Sequence, residues 1–355
     1  MSRIEQLERL LIDDRHAALI TSDISRKYLC GFTSSAGVIL ITKEQSYLLI
    51  DFRYYEKARQ RVTDCQVILL EDMRKQLMDL LVKHGISVVS VESDSMTLTE
   101  MEKYKANYSF VTFDTGSALS DKLTKMRSIK TADELEKIIA AQRIAEKAFD
   151  KLLNNIKIGQ TEKHVAAMLD YYMAECGSDG LSFDTIAASG VNSASPHAVP
   201  TDKKLEDGDF LTLDFGATYD GYHSDMTRTV AIGHATDKMR EMYDAVLSAN
   251  LDAHKAAKAG ISGKLLDSVA RSTLDAWNYG EYFKHGLGHG VGLEIHEAPT
   301  AGMYSVDTLK EGMIVTIEPG AYITGKYGVR IEDMVVITAD GCRNLTKTGK
   351  GLIII

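Results

Sequence analysis

Polar and apolar segments alternate along the first third of the chain. Apolar runs of strand length recur there, at residues 17–21, 37–42, 46–51, 65–70, 86–92 and 109–114. Segments with helical spacing precede or separate them, at residues 4–11, from 55, 73–84 and from 99. Because strands that alternate with helices build layered sheets, this pattern predicts an α/β domain with helices on a mixed sheet.

The pattern changes near residues 122–130, which predicts two domains, 1–125 and 126–355. Thr131 and Glu134 have the spacing of a capping box, and an apolar stripe follows them to about residue 155. The stripe consists of Ile138, Ala141, Ile144, Ala145, Ala148 and Leu152. The remaining pattern predicts a helix from Thr161 to Gly177, a strand at 182–189, a loop at 190–204 and helices at 237–259 and 262–277.

Two stretches of the second domain match one another, residues 205–225 and 309–321. Asp214 falls on Glu318, 104 positions later (318 − 214). A second acid follows in each copy, Asp225 and Glu332. Each copy predicts a strand, a turn and a returning strand, so the domain is an α+β core with approximate twofold symmetry. Four carboxylates from two facing hairpins would repel one another, and a bound cation is the natural reason to gather them.

Asp214 by itself has a structural alternative as a turn or cap acid at a strand end. The duplicated frame of four acids favours metal ligands instead. Arg330 lies two residues before Glu332, so it should share that face of the strand, where it can hold a carboxylate in bidentate fashion.

Histidine supplies the nitrogen ligands that such a site lacks. His285, His289 and His296 lie in a stretch with glycine at positions 286, 288, 290 and 292, which disfavours a helix. His197 lies in the predicted 190–204 loop. A lone histidine is more often structural than a ligand, but three beside four glycines is a much rarer arrangement.

Four carboxylates with one or two imidazoles favour hard or borderline ions such as Mn²⁺, with Co²⁺, Fe²⁺ or Zn²⁺ as alternatives. The number of ligands and the two symmetric halves suggest two ions about 3.5–4 Å apart with a bridging hydroxide. The residues alone therefore predict metal-assisted hydrolysis without naming the bond that is cut.

The composition of the chain limits which partners and which cellular location can be expected. A net charge of −9 argues against nucleic acid or an anionic membrane as a partner. The first residues have no signal-peptide core, and no run reaches the roughly 18 apolar residues of a membrane span. The four cysteines have no CxxC spacing, which indicates thiols in a reducing compartment. We therefore expect a cytoplasmic protein.

The whole chain resembles the pita-bread metallopeptidases of the proline peptidase group, Xaa-Pro aminopeptidase and Xaa-Pro dipeptidase. The resemblance rests on RKYLCGFTSSAG and LLIDFRYYEKA in the first domain and on LTLDFGATYDGYHSDMTRT, HGLGHGVGLEIHE, TIEPGAY and GVRIED in the second. It implies a creatinase-like N-terminal domain and a pseudo-twofold pita-bread catalytic domain.

The resemblance also implies roles for individual residues. The metal ligands would be Asp214, Asp225, His289, Glu318 and Glu332. His285 would move protons, His197 and His296 would contact the substrate or intermediate, and Glu318 would double as acid and base. Ala198 stands where the family more often has glycine, which bears on substrate preference.

The implied substrates are peptides with proline at position 2, and a homodimer is expected. We expect an aminopeptidase P-like enzyme, with a prolidase restricted to dipeptides as the alternative. A metal-free creatinase-like amidinohydrolase and a non-catalytic binding protein are disfavoured because the ligand set is intact. A methionine aminopeptidase is disfavoured by the additional N-terminal domain.

Overall fold

The computed structural model describes residues 2–355. The chain divides between Arg127 and Ser128 into two compact units. Within residues 2–355, every helix is too short or too polar to span a lipid bilayer.

The first unit is built on one six-stranded sheet. Its strands are β1 (His16–Ile20), β2 (Val38–Ile41), β3 (Ser46–Ile50), β4 (Gln66–Leu69), β5 (Val88–Val91) and β6 (Thr112–Asp114). They lie in the order β4-β3-β2-β1-β5-β6. β2 pairs antiparallel with β1 and β3, while the other neighbours pair in parallel. The predicted mixed sheet is therefore confirmed.

Six helices accompany this sheet. They are α1 (Arg3–Glu8), α2 (Asp23–Cys30), α3 (Phe52–Arg61), α4 (Met73–Lys83), α5 (Leu98–Asn107) and α6 (Ala118–Ser128). Sequence reasoning missed α2 and α6. α2 is a short helix that Ser22 caps through the Ser25 amide and that Gly31 ends in the left-handed region, at φ 62°. Every position of β1, β2 and β3 is buried, as expected of strands covered on both faces.

The second unit contains four α-helices, which match the predicted ones within a few residues. They are α7 (Ala132–Leu153), α8 (Glu162–Glu175), α9 (Asp237–Ala256) and α10 (Gly263–Ala276). The capping box of Thr131 and Glu134 is present, and Thr161 caps α8. The predicted apolar stripe of α7 is buried, and it packs with strands of the same unit.

Thirteen short strands complete the unit. They are β7 (Gly180–Leu181), β8 (Ile186–Ser189), β9 (Phe210–Phe215), β10 (Ala217–Tyr219), β11 (Tyr222–His223), β12 (Met226–Ala231), β13 (Gly288–Gly290), β14 (Glu297–Ala301), β15 (Ile314–Ile317), β16 (Gly320–Ile323), β17 (Tyr327–Arg330), β18 (Asp333–Ile337) and β19 (Cys342–Asn344). The predicted strand at 182–189 is shorter than expected. Only its second half pairs with β9, whereas the Thr185 hydroxyl donates to Asp170.

The two matched stretches fold as related antiparallel pairs, β9 with β12 and β15 with β18. Hydrogen bonds join the pairs to one another. The Thr229 hydroxyl donates to the Arg330 carbonyl at 3.0 Å and accepts from the Arg330 amide at 3.2 Å. The Glu332 amide donates to the Thr227 carbonyl at 3.1 Å. These contacts set the ends of the two hairpins side by side.

A buried ion pair also links the two hairpins. Arg228 on β12 donates to the Asp333 carboxylate on β18 at 2.8 Å and to the Thr348 carbonyl at 2.7 Å. His254 and Lys350 approach the same carboxylate at 3.0 and 2.7 Å. Burial alone would raise the pKa of Asp333, but His254, Arg228 and Lys350 outweigh it and lower the pKa well below its ordinary value.

Replacing Arg228 by methionine should lower the free energy of unfolding by about 3–5 kcal/mol, because Asp333 stays buried after one of its charged partners is removed. Urea denaturation at pH 7 measures this change. Since the folded pKa of Asp333 is depressed, its contribution is full above the unfolded pKa of about 3.9 and is lost as the pH falls through the folded value. The difference in the free energy of unfolding between the wild type and Arg228→Met should therefore become smaller at acidic pH.

Lys238→Met is the matched control, because Lys238 pairs with Glu241 on the surface. Its effect on the free energy of unfolding should be far smaller than that of Arg228→Met, because an ion pair in solvent contributes little to stability. If both substitutions lower the free energy of unfolding equally, the buried Arg228–Asp333 pair does not stabilise the fold more than a surface pair does.

Candidate metal centre

A cavity of about 480 Å³ opens in the second unit where the two hairpins meet. Its walls contain every residue that the sequence predicted for the site: His197, Asp214, Asp225, His285, His289, His296, Glu318, Arg330 and Glu332. Phe183, Ile186, Pro196 and Ile295 add apolar surface. The fold therefore brings together all of the predicted site residues.

The four acids occupy related places in the hairpins. Asp214 lies in β9 and Glu318 directly follows β15, while Asp225 and Glu332 directly precede β12 and β18. Asp225 and Glu332 are only 4% and 1% exposed. Both carboxylates are therefore withdrawn from bulk water.

His289 lies among these acids. Its Nε2 is 3.3 Å from Glu318 Oε1 and 3.6 Å from Asp225 Oδ2. Candidate ligand atoms of Asp225, His289 and Glu332 lie within 4.8 Å of one another. His289 Nδ1 lies 3.1 Å from the Gly290 carbonyl, which can only accept, so Nδ1 carries a hydrogen. Nε2 is therefore the nitrogen that faces the acids.

The glycines on either side of His289 allow its backbone to pack closely against the neighbouring strands. A side chain at Gly288 would overlap the Thr316 carbonyl oxygen, and one at Gly290 would overlap the Ala298 carbonyl. With glycine there, β13 packs against β15 and the His289 amide donates to the Thr316 hydroxyl at 3.0 Å. The predicted glycine-rich loop is thus partly a strand, and the expectation that it is not a helix is confirmed.

Burial and mutual repulsion dominate the electrostatics of the acids. Burial, together with the neighbouring carboxylates, raises the pKa of Asp225 and of Glu332 well above the ordinary values. Burial also raises the pKa of Asp214 despite the charge of Arg330. For Glu318, burial is outweighed by the hydrogen bond and charge of His289, which lower the pKa to about 2.

Arg330 is the one arginine or lysine among the described residues that line the cavity. Its Nη2 donates to Asp214 Oδ2 at 2.6 Å, its Nε to the Thr227 hydroxyl at 3.0 Å, and its Nη1 to Tyr322 and to the Pro196 carbonyl. The predicted bidentate contact is therefore wrong in detail, because the guanidinium divides its nitrogens among four partners.

One guanidinium cannot balance four carboxylates, of which two are buried and two half-buried. Asp214 Oδ1 and Glu332 Oε1 are buried and have no hydrogen-bond partner among residues 2–355. A buried carboxylate oxygen without a partner is costly, whereas a divalent cation supplies the missing charge and ligand bond. The donors fit a divalent metal centre that is rich in oxygen.

The other histidines surround the acids. His285 Nδ1 is 2.9 Å from the Gly286 carbonyl and Nε2 is 3.0 Å from the Tyr322 hydroxyl. Burial lowers the pKa of His285 and raises that of Tyr322 to about 12. The His296 and His289 rings lie 4.4 Å apart, and burial and His289 lower the pKa of His296. His197 is exposed at the cavity.

Sequence reasoning missed three residues that orient this chemistry. Tyr322 joins His285 to Arg330, the Thr227 hydroxyl donates to Glu332 at 2.7 Å, and the Thr316 hydroxyl donates to Glu318 at 3.1 Å. Two signals were available. Thr316 shares a strand face with Glu318, and Tyr322 ends the TIEPGAY motif.

The fold and the site define a two-domain, metal-dependent peptidase with the pita-bread fold. Residues 136–339 match the model of metallopeptidase family M24, and residues 3–129 match the creatinase/prolidase N-terminal domain. The chain belongs to metallopeptidase family M24. The predicted resemblance and fold class are thereby confirmed.

Relatives of known name agree with this assignment. The chain is 41% identical to an Xaa-Pro dipeptidase of Pyrococcus horikoshii, over 99% of this chain and 97% of the relative. An Xaa-Pro dipeptidase structure from Bacillus anthracis matches with a TM-score of 0.95 at 39% identity, over 99% of both chains. An X-Pro aminopeptidase structure from Thermotoga maritima matches with a TM-score of 0.92 at 38% identity, over 99% of this chain and 100% of that one.

Glu332→Gln should have opposite effects on stability with and without metal. In chelator-treated protein the substitution removes a carboxyl group whose ionisation is disfavoured by burial and by the neighbouring acids, so it should raise the thermal midpoint. With Mn²⁺ present, wild-type protein should gain about 2.7 kcal/mol at 100 times Kd, and the variant should lose most of that gain. Calorimetry with and without Mn²⁺ measures both effects. A lower midpoint for the variant in chelator would contradict the charge-repulsion account.

Proposed function

We propose that this chain is an aminopeptidase P-like exopeptidase that hydrolyses the Xaa-Pro bond at the N-terminus of peptides. The observation that carries the proposal is the convergence of four carboxylates and one imidazole in a single cavity. The proposed ligands of two divalent ions are Asp214, Asp225, His289, Glu318 and Glu332. The proposed ion is Mn²⁺, with Co²⁺ or Zn²⁺ as alternatives. Such ions supply Lewis acidity and lower the pKa of water at the site.

The protein's own groups supply proton transfer and orientation. Glu318 is held ionised, because the hydrogen bond and charge of His289 lower its pKa to about 2, so its carboxylate oxygens can accept hydrogen bonds at the site. We assign it the role of acid and base from its place among the proposed metal ligands. Tyr322 accepts from Arg330, so its own hydrogen points to His285 Nε2. His285 thus has a neutral, proton-accepting form that Tyr322 holds in place, as a proton shuttle requires.

The remaining residues orient the peptide. His197 and His296 are exposed imidazoles on the cavity wall, where they can hydrogen-bond to a peptide carbonyl. Arg330 holds the Asp214 carboxylate in place. Phe183, Ile186 and Ile295 offer apolar surface for a proline ring.

The charges in the cavity favour longer peptides over dipeptides. A dipeptide carries its free carboxylate directly on the proline, so a site restricted to dipeptides benefits from a nearby cation. Arg330 is the one arginine or lysine among the described lining residues, and four of its five N–H groups already donate to Thr227, Pro196, Tyr322 and Asp214. A peptide that continues beyond proline avoids placing that negative charge in the cavity.

An Xaa-Pro dipeptidase is the second candidate, because relatives of 39–41% identity carry that name.

Four expectations from the sequence stay predictions. They are the homodimer, the cytoplasmic location, the choice of Mn²⁺ and the domain boundary between residues 125 and 126.

Metal-stripped protein reloaded with Mn²⁺ should cleave Xaa-Pro-Yaa tripeptides as well as Xaa-Pro dipeptides. Release of the N-terminal amino acid measures both reactions, and Xaa-Ala-Yaa peptides serve as controls. Cleavage of dipeptides alone would make the protein a prolidase. Failure to cleave any Xaa-Pro peptide would overturn the proposed function.

His285→Ala should reduce kcat by about 10²–10⁴-fold, the range expected for the loss of a positioned acid or base. Metal content, measured by elemental analysis, should stay that of the wild type, because the proposed role of His285 is proton transfer. The exposed His164 on α8 provides the control His164→Ala, which should leave kcat unchanged. Loss of metal from His285→Ala would contradict the assigned role.

A further inference from the structure

A buried glutamate outside the metal centre holds both ends of the loop that carries His197. Glu162 is the first residue of α8 and is 0% exposed. The segment between Ser189 and Thr201, residues 190–200, is called the His197 loop below. Neither the metal centre nor the proposed chemistry uses Glu162.

The Glu162 carboxylate accepts hydrogen bonds from each end of this loop. Oε1 accepts from the Ser189 amide at 2.6 Å and from its hydroxyl at 2.8 Å. Oε2 accepts from the Thr201 amide at 2.9 Å and from its hydroxyl at 2.6 Å. Asn192, inside the loop, donates from Nδ2 to both oxygens at 3.1 Å. One side chain therefore closes the loop at its base.

The beginning of α8 reinforces this closure. The first amides of a helix have no partner within the helix. Here the Glu162 amide donates to the Lys203 carbonyl at 3.0 Å, and the Lys163 amide donates to the Thr201 carbonyl at 3.1 Å. The loop end and the helix end thus satisfy one another's backbone groups.

Glu162 is suited to this task as an anion. Burial would raise the pKa of Glu162, but the hydrogen bonds from Thr201 and Ser189 outweigh it and lower the pKa below its ordinary value. All of these partners donate, which suits an ionised carboxylate because it accepts at both oxygens.

Helix capping does not explain the glutamate. Thr161 already caps α8, since its hydroxyl accepts from the His164 amide at 3.1 Å. In α7, by contrast, Glu134 completes a capping box by reaching back to the Thr131 amide at 2.8 Å. The Glu162 carboxylate instead reaches the distant residues Ser189 and Thr201.

The tip of the His197 loop meets the site. The Pro196 carbonyl accepts from Arg330 Nη1 at 3.1 Å, and the next residue, His197, lines the cavity. Ser193 Oγ accepts from the Gly328 amide at 2.9 Å. Displacement of the loop base would therefore change both the position of His197 and the carbonyl that Arg330 holds.

We propose that Glu162 is a positioning residue, which holds the base of the His197 loop so that His197 faces the substrate. The catalytic consequence rests on the proposed function. The closure of the loop itself does not.

The substitution Glu162→Gln tests the positioning role, because glutamine has nearly the same size and shape as glutamate but carries no charge. An amide accepts only through its oxygen, so its NH₂ group must face the backbone amide of either Ser189 or Thr201. We expect kcat/KM for Xaa-Pro-Yaa to fall about 10–100-fold, as expected for a small misplacement of a substrate-contacting group. The loss should lie mainly in kcat, with unchanged metal content.

Glu92→Gln is the matched control. Glu92 lies in the first unit, is 1% exposed, and accepts from the Thr21 and Ser22 amides at 2.7 and 3.0 Å. This substitution removes a similarly buried anion at a comparable backbone site. It should leave kcat/KM unchanged.

A double-mutant cycle with His197→Ala separates positioning from general stability. Glu162→Gln should cost little further activity once His197 is absent. If the same fold-loss appears in both backgrounds, Glu162 does not act through His197 and the proposal is overturned.

Hydrogen exchange of the metal-loaded protein without substrate tests loop closure independently of activity. Amides of residues 189–201 should exchange faster in Glu162→Gln but not in Glu92→Gln. Unchanged exchange would overturn the proposal even if the enzyme cleaves Xaa-Pro peptides. If Glu162→Gln exchanges faster but the wild-type enzyme cleaves no Xaa-Pro peptide, the loop closure by Glu162 is supported and only the proposed function fails.

If Glu162→Gln does not fold, Glu162→Asp replaces it in these experiments. Aspartate keeps the negative charge, but its side chain is shorter and cannot reach both ends of the loop.

Discussion

The site of the second unit depends on how the repulsion among four carboxylates, two buried and two half-buried, is compensated. Asp225 and Glu332 are almost inaccessible to water, and burial together with neighbouring acids raises the pKa of both. Such a cluster is stable only when positive charge enters it. Arg330 supplies part of that charge at Asp214. Asp214 Oδ1 and Glu332 Oε1 are buried and accept no hydrogen bond from the part of the chain that the structure describes, and a divalent cation suits such oxygens.

The duplicated hairpins are what make this crowding possible. Each contributes one acid beside a strand end and one at the start of the returning strand, so four carboxylates converge without a long loop. Backbone and threonine hydrogen bonds tie the hairpins together on either side of Arg330. The Arg228–Asp333 pair adds a second link. Elements of both halves therefore hold the site rigidly, as catalysis by preorganised groups requires.

The histidines around the metal centre, His285 and His197, are held in place through other residues. His285 is fixed through Tyr322 and through Arg271 of α10, which donates to the Phe283 carbonyl at 2.7 Å and also to the His285 carbonyl. His197 lies on a loop whose base is held by Glu162. Residues of α8 and α10 thus help to place His197 and His285, while the hairpins place the acids. Arg330 connects the two sets of supports, because it donates to Asp214, to Tyr322 and to the Pro196 carbonyl.

The sequence by itself determined the alternation of elements, the duplicated acids and the family. These follow from local periodicity and from motif residues such as Asp214 and Glu318, which are visible without knowing distances. It did not reveal that Arg330 binds Asp214, that Tyr322 joins His285, or that Glu162 closes the His197 loop. In each of these contacts the partners are too far apart in the chain for local spacing to show them. Only the tertiary structure decided them, because hydrogen-bond partners are chosen by proximity after folding and not by position along the chain.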